Sequence, residues 1–295
     1  MRNHFSDFHP SCILIYFLTL ITVTVVFDHP AVTVTGFFCA LIFSAYVSGV
    51  KTAVKQFLTS ISMTAIFALV SSLLSHRGDT PVLYINDRPV TLESILYGMY
   101  AGLLIAVMIL WFGIWHKTLG NDKFIFLFGR KFPQSSLLIR MVTGFIPYFK
   151  KKLSEITMVQ RTLGVCASDG TLKERLKNSA SVMSVLVSVT LEDTMETADS
   201  MTARGYSLKN KSTRGFYTFR TCDFAMLLIT AAFLVYYIVM YTQHTADFSF
   251  YPVIEIYAIS YRQITLFGLS AVFYSIPIAI CVLEDIHWRL LQSKI

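Results

Sequence analysis

The sequence predicts an all-α, polytopic membrane protein with about six transmembrane helices and a helical insertion on the cytoplasmic side. Three observations predict it. Apolar residues make up 54% of the 295 residues, charged residues only 15%, and mean hydropathy is +0.58, a balance unlike that of a soluble domain. The apolar residues gather in stretches close to the roughly 20 residues that a helix needs to cross a hydrocarbon core. A long basic interval, 117–220, interrupts them.

The first two stretches, 12–27 and 32–50, are separated by Asp28-His29-Pro30, where the proline forces a break between neighbouring helices. No small-residue cleavage pattern follows the first stretch, so it reads as an uncleaved span and not as a secretion signal. A third stretch covers 57–74 and a fourth 94–115, and the last pair, 224–241 and 263–283, follows the basic interval. The chain therefore divides into a membrane part at 1–116, an insertion at 117–221 and a second membrane part at 222–295. Lys51 and Lys55, the basic interval, and Arg289 with Lys294 all fall on one side if both termini are inside. Basic residues near span ends are retained in the cytoplasm, which gives the orientation.

Chemistry that the chain lacks narrows its function. The five cysteines form no C-x-x-C pair and no H-E-x-x-H is present, so neither a zinc site nor a metalloprotease is indicated. There is no G-x-x-x-x-G-K-[ST] and no G-x-G-x-x-G after a plausible strand, hence no nucleotide site. Glu93, Asp223, Glu255, Glu284 and Asp285 lie near span ends. A charge at mid-bilayer costs about 2.5 to 3.5 kcal/mol on insertion scales, and these spans carry no such row of ionisable groups.

The insertion holds the functional information. Lys150, Lys151 and Lys152 suit contact with anionic headgroups. Residues 135–149 read as a helix lying in the interface, Pro147 as a bend, and 151–164 as a second helix. A third helix starts at Thr171 or Leu172 and runs to Ala203 or Arg204, about 45 to 50 Å at 1.5 Å per residue. It carries an apolar face at Val182, Val185, Leu186 and Val189 and then an acidic end at Glu192, Asp193, Glu196 and Asp199. The helix closes on "ADSMTARGY" (198–206). Gly205 suits a left-handed stop, and Arg204 suits the negative pole of the helix by about 0.3 to 1 kcal/mol. The small residues Ala198, Ser200 and Ala203 also suit a tip seated in a partner's groove. A plain cap and a contact surface both remain open on these residues alone.

With "FDHP" (27–30), "GFIPYF" (144–149), "VQRTLG" (159–164) and "ADSMTARGY" in this order, the chain resembles the transmembrane coupling subunit, or T component, of energy-coupling factor (ECF) transporters, the ABC-type importers of vitamins and metal ions such as cobalt in prokaryotes. The resemblance implies a non-catalytic subunit in a prokaryotic cell membrane. Its implied partners are two ABC-type ATPase subunits, which bind ATP and magnesium, a small membrane S component that selects the substrate, and the lipid bilayer. No nucleic acid and no cofactor of this chain's own are implied. Carried over by motif, Ala203, Arg204 and Gly205 form one ATPase contact, and Gln160, Arg161, Thr162, Leu163 and Gly164 the other. Leu163 stands where the family has arginine, and Arg161 is rotated about 200° from that position on a helix, so it cannot replace the missing side chain in place. Gly144 likewise stands where the family often has a basic residue. Leu138, Met141 and Phe145, with Val182, Val185, Leu186 and Val189, are the candidate S-component surface, and ordinary packing is the competing reading.

Two rival functions stand beside this one. A polytopic enzyme could hold a divalent cation on Glu192, Asp193, Glu196 and Asp199, although one helix cannot complete a coordination shell. A membrane scaffold or sensor could dock a soluble partner on the basic insertion.

Overall fold

The computed structural model describes residues 4–74, 78, 80–85, 88–129, 132–163, 171–206, 217–243, 248, 250 and 261–292. The chain divides into two compact units, Met1–Phe124 with Tyr217–Ile295, and Ile125–Phe216. Among the described residues five helices are long and apolar enough to cross a membrane, which gives the protein its transmembrane character.

In the first unit the same dipeptide opens two helices. His9-Pro10 starts α1 (Pro10–Val26) and His29-Pro30 starts α2 (Pro30–Ser48). Each proline takes the first helical position, where its missing N–H is no loss. Each histidine caps the end by accepting a backbone N–H on Nδ1, from Ser11 at 3.3 Å and from Ala31 at 3.2 Å. Burial holds both imidazoles below their ordinary value, and the neutral ring keeps a lone pair for the bond. A 3-10 turn at His4–Asp7 precedes α1. After Gly49, at φ 87°, comes α3 (Val50–Leu74).

Two strands that the sequence reading missed follow: β1 (Pro81–Ile85) and β2 (Arg88–Thr91) pair antiparallel, with Ile85 opposite Arg88 and Pro81 opposite Thr91. The fold is helical as expected, with this one hairpin added; its signal is the β-prone Val82-Leu83-Tyr84-Ile85 beside Asn86-Asp87. Next is α4 (Leu92–Gly129), broken at Gly120 (φ 61°). The remaining helices of this unit are α7 (Thr221–Thr242) and α8 (Tyr261–Gln292), labelled in chain order after the two helices of the second unit.

The first apolar stretch forms a helix shorter than the five candidate spans. α1 has 17 residues, about 25 Å at 1.5 Å each, against a hydrocarbon core of about 30 Å. It is instead the centre of the packing: Cys12, Ile13, Tyr16, Phe17 and Leu20 are buried, with α1 set against α7 and α2 against α3 and α8. Tyr16 stacks obliquely on Phe273 at 4.9 Å, Phe17 meets Trp111 edge-on at 6.2 Å, and Trp111 lies 6.1 Å from Tyr274. The two tyrosine hydroxyls are satisfied inside the bundle, Tyr16 donating to the Phe273 carbonyl at 2.7 Å and the Tyr274 hydroxyl pairing with Thr24 Oγ1 at 3.0 Å, whereas the buried Trp111 indole N–H finds no hydrogen-bond partner. Burial against lipid drives no association between spans, so such close packing and internal hydrogen bonds hold them together.

A second device joins α3 and α4. A Cβ on Gly98 would stand 2.8 Å from the Ala68 Cα, and one on Gly102 2.7 Å from the Thr64 Cα. Gly98 and Gly102 thus form a G-x-x-x-G face that lets two backbones touch. One turn away Ser71 and Ser94 exchange hydrogen bonds, each hydroxyl donating to the other's carbonyl, at 3.1 and 2.9 Å.

Candidate functional site

The second unit is built around α5 (Pro133–Thr162) and α6 (Leu172–Ala203). The sequence predicts two helices separated by a bend at Pro147; the structure has one helix running through it. A proline inside a helix removes one backbone hydrogen bond at a cost of about 3 kcal/mol. Two local contacts flank the proline. Phe145 and Phe149 stack across the proline turn, 5.5 Å apart and 10° from parallel, and the Thr143 hydroxyl ties back to the Ile139 and Arg140 carbonyls at 2.9 and 3.0 Å.

Both ends of α6 are fixed by local chemistry. At its start Thr171 and Glu174 form a capping box, with the Thr171 N–H donating to Glu174 Oε2 at 2.9 Å. These bonds hold the Glu174 carboxyl below its ordinary value. At its end Gly205 adopts φ 80°. Tyr206 N–H reaches the Met201 carbonyl and Gly205 N–H the Thr202 carbonyl, both at 3.0 Å. This is a complete Schellman stop, and any side chain at Gly205 would pay the left-handed penalty. Ala198, Asp199, Ser200, Thr202, Ala203 and Arg204 are all exposed along the tip.

The two helices meet where Tyr148 of α5 donates its hydroxyl to Asp193 Oδ2 of α6. Lys152 Nζ lies 5.8 Å from the Tyr148 ring centre. The hydrogen bond to Asp193 pushes the Tyr148 phenol up, and Tyr148, then Asp193, hold the Lys152 ammonium above its ordinary value. Raised values mean the protonated forms are favoured in the fold. The contribution is therefore complete below the ordinary phenol value of about 10 and is lost only as pH rises through the raised one. The cluster is intact at neutral pH.

This meeting point fixes how the ends are disposed. Were α5 and α6 parallel, Thr162 and Leu172 would lie about 50 Å apart along the axis, whereas the chain joining them reaches at most about 35 Å when extended. The helices are therefore antiparallel or steeply crossed, and their C-terminal ends diverge from the crossing. Arg161 lies about 20 Å beyond Tyr148 and Arg204 about 17 Å beyond Asp193.

Each residue singled out in the sequence can now be placed. Ala203, Arg204, Arg161, Thr162 and Leu163 are exposed, Gly205 and Gln160 half-buried, and Gly164 lies outside the described residues. Leu138 is exposed, and Met141 and Phe145 are half-buried. The apolar face of α6 divides: Val182 is buried and Leu186 and Val189 half-buried, whereas Val185 is exposed. Val182, Leu186 and Val189 share helical spacing with Asp193, whose bond to Tyr148 marks this face as the one turned to α5.

The outward apolar stripe of α6 is one the sequence reading missed. It consists of Met183, Val187, Leu191 and Met195, between 52% and 67% exposed, and its signal was the repeated i, i+4 spacing. On α5 Leu138, Val142 and Ile146 form a matching stripe, 50% to 63% exposed. Of the acidic quartet, Glu192, Glu196 and Asp199 are exposed and Asp193 is engaged by Tyr148. Among the described residues no group of three or more His, Cys, Asp or Glu side chains is placed to hold a metal ion.

The chain matches no known protein-family model, and no curated protein matches it.

Proposed function

We propose that this protein is the transmembrane coupling subunit of an ECF-type importer, passing the motion of two ATPase subunits to a membrane-embedded substrate-binding component. One observation carries the reading: at the helix tip Ala203 and Arg204 are exposed and closed by a Schellman stop at Gly205, and the reach of the joining chain turns this tip away from the second candidate tip at Gln160 to Leu163. Two diverging tips suit two separate docking bodies. A planar guanidinium on a rigid helix end suits charge-assisted hydrogen bonds to acidic or carbonyl groups in a groove.

In this mechanism no bond is made or broken by the chain. Closure of the two ATPases draws the tips together, the pair of helices turns at the Tyr148–Asp193 contact, and the apolar stripes on α5 and α6 pass the movement to a hydrophobic partner. Leu163 in place of arginine makes the tip of α5 the more apolar of the two, which fits a pair of unlike ATPases. Both termini lie in the cytoplasm of a prokaryotic cell, and the cargo is a vitamin or a metal ion chosen by the partner.

Purification of the protein from its native membrane in mild detergent tests the reading. Two ABC-type ATPases and a small membrane protein are expected to accompany it. A chain that purifies alone under conditions that preserve other membrane complexes contradicts the proposal.

A further inference from the structure

A cleft of about 220 Å³ runs along the seam of α1, α7 and α8 in the membrane unit. Tyr16 and Thr230 form part of its wall, both buried, and their hydroxyls are already committed. Tyr16 donates to the Phe273 carbonyl at 2.7 Å and Thr230 to the Met226 carbonyl at 2.6 Å. The rest of the lining includes Ala225, Ile229, Ile276 and Ile280. A space lined in this way gives water almost nothing to bond, and such cavities stay dry.

The shape of the cleft narrows its occupant. From Cys222, exposed at one end, to Thr230 at the other, the lining advances about 12 Å along α7. That is close to half of a hydrocarbon core about 30 Å thick, and its direction is that of a spanning helix. The volume is too small for a partner helix, which with its side chains is about 10 Å across. The medium expected outside the cleft is hydrocarbon, since α7 and α8 are both long and apolar enough to cross a membrane. Arg220 is exposed just before Cys222, at the end where a phospholipid phosphate would stand.

We propose that this cleft binds one acyl chain of a bilayer phospholipid, lying along α7 within one leaflet with its headgroup at the Cys222 end. The chain completes the packing around Tyr16 and Met226 and seals α1 against α7 and α8. The site does not depend on the coupling role.

The test uses the full-length protein in phosphatidylcholine bilayers containing a phosphatidylcholine with a photoactivatable diazirine in its acyl chain, followed by peptide mapping. Adducts at 222–230 and 276–280 are expected in about tenfold excess over the equally lipid-accessible surface of α3 at Leu58, Ile66 and Leu69, a preference equivalent to about 1.4 kcal/mol. Ala225→Phe, which fills the cleft from an exposed position, is expected to abolish the excess and leave the α3 adducts unchanged; Ile229→Phe serves the same purpose should the first variant not insert. Adducts spread evenly over both surfaces, or an excess that survives filling, overturn the proposal.

Discussion

In the membrane unit Phe5, Tyr16, Phe17, Phe43, Trp111, Phe273 and Tyr274 are wholly buried, whereas along the 32 residues of α6 only Val182 is buried. The first unit is held by interlocked aromatic rings and by glycines that bring α3 and α4 together. The second is held by its caps, by the Tyr148–Asp193 contact and by the face of Val182, Leu186 and Val189, while a stripe of large apolar side chains on each helix stays outside. The difference teaches where rigidity comes from: a scaffold closed by packing resists change, and a helix pair joined by a few contacts keeps surface available for other molecules.

Substitutions can break this contrast. The largest expected effect is Trp111→Ala, which opens a cavity at the centre of the aromatic cluster and costs about 3 to 5 kcal/mol. Thermal unfolding in detergent measures it, and a Tm unchanged from the parent protein would remove Trp111 from the core account. Gly102→Leu comes next, at about 1 to 3 kcal/mol for overpacking, since even a methyl group there meets the α3 backbone at 2.7 Å. Gly102→Ala should show the same effect in milder form; if both variants melt normally, the close approach of α3 and α4 is wrong.

Smaller effects belong to the second unit. Gly205→Ala places a side chain at φ 80° and is expected to cost about 1 kcal/mol, read as fraying of the last turn of α6 by amide hydrogen exchange while the membrane unit melts as before. Tyr148→Phe removes the bond to Asp193 and leaves the ring. Faster exchange is expected on both helices around 148 and 193 with no change in Tm, and exchange that stays at the parental rate would mean that the contact does not hold the crossing.

Legibility in the sequence followed the same division. The bounds of α6 and the stop at Gly205 were readable because a cap is a property of a few adjacent residues. The spans were readable from long apolar runs, and α1, at 17 residues, is the shortest of the apolar helices. The hairpin was passed over in a region read only for charge, and the G-x-x-x-G at Gly98 and Gly102 was visible but unused. Pro147 reads as a breaker because its missing N–H is a local property, whereas α5 continues through it with Phe145 stacked on Phe149 across the proline turn. The Tyr148–Asp193 contact joins residues distant in the chain, and no local pattern announces such a pair. The tips were legible as motifs; that they diverge follows only once the crossing point is known.

The central claim is that the tip at Arg204 is a docking element and not only a helix end. Arg204→Glu tests it most directly, by co-purification of the variant with the proposed ATPase partners beside a melting curve of the variant alone. The account predicts a normal Tm and normal membrane insertion, with ATPase recovery reduced by about tenfold or more, as expected when a charge-assisted contact of roughly 1.5 to 3 kcal/mol is lost and replaced by repulsion. Recovery of both ATPases at the parental ratio would contradict it and leave Arg204 as a cap.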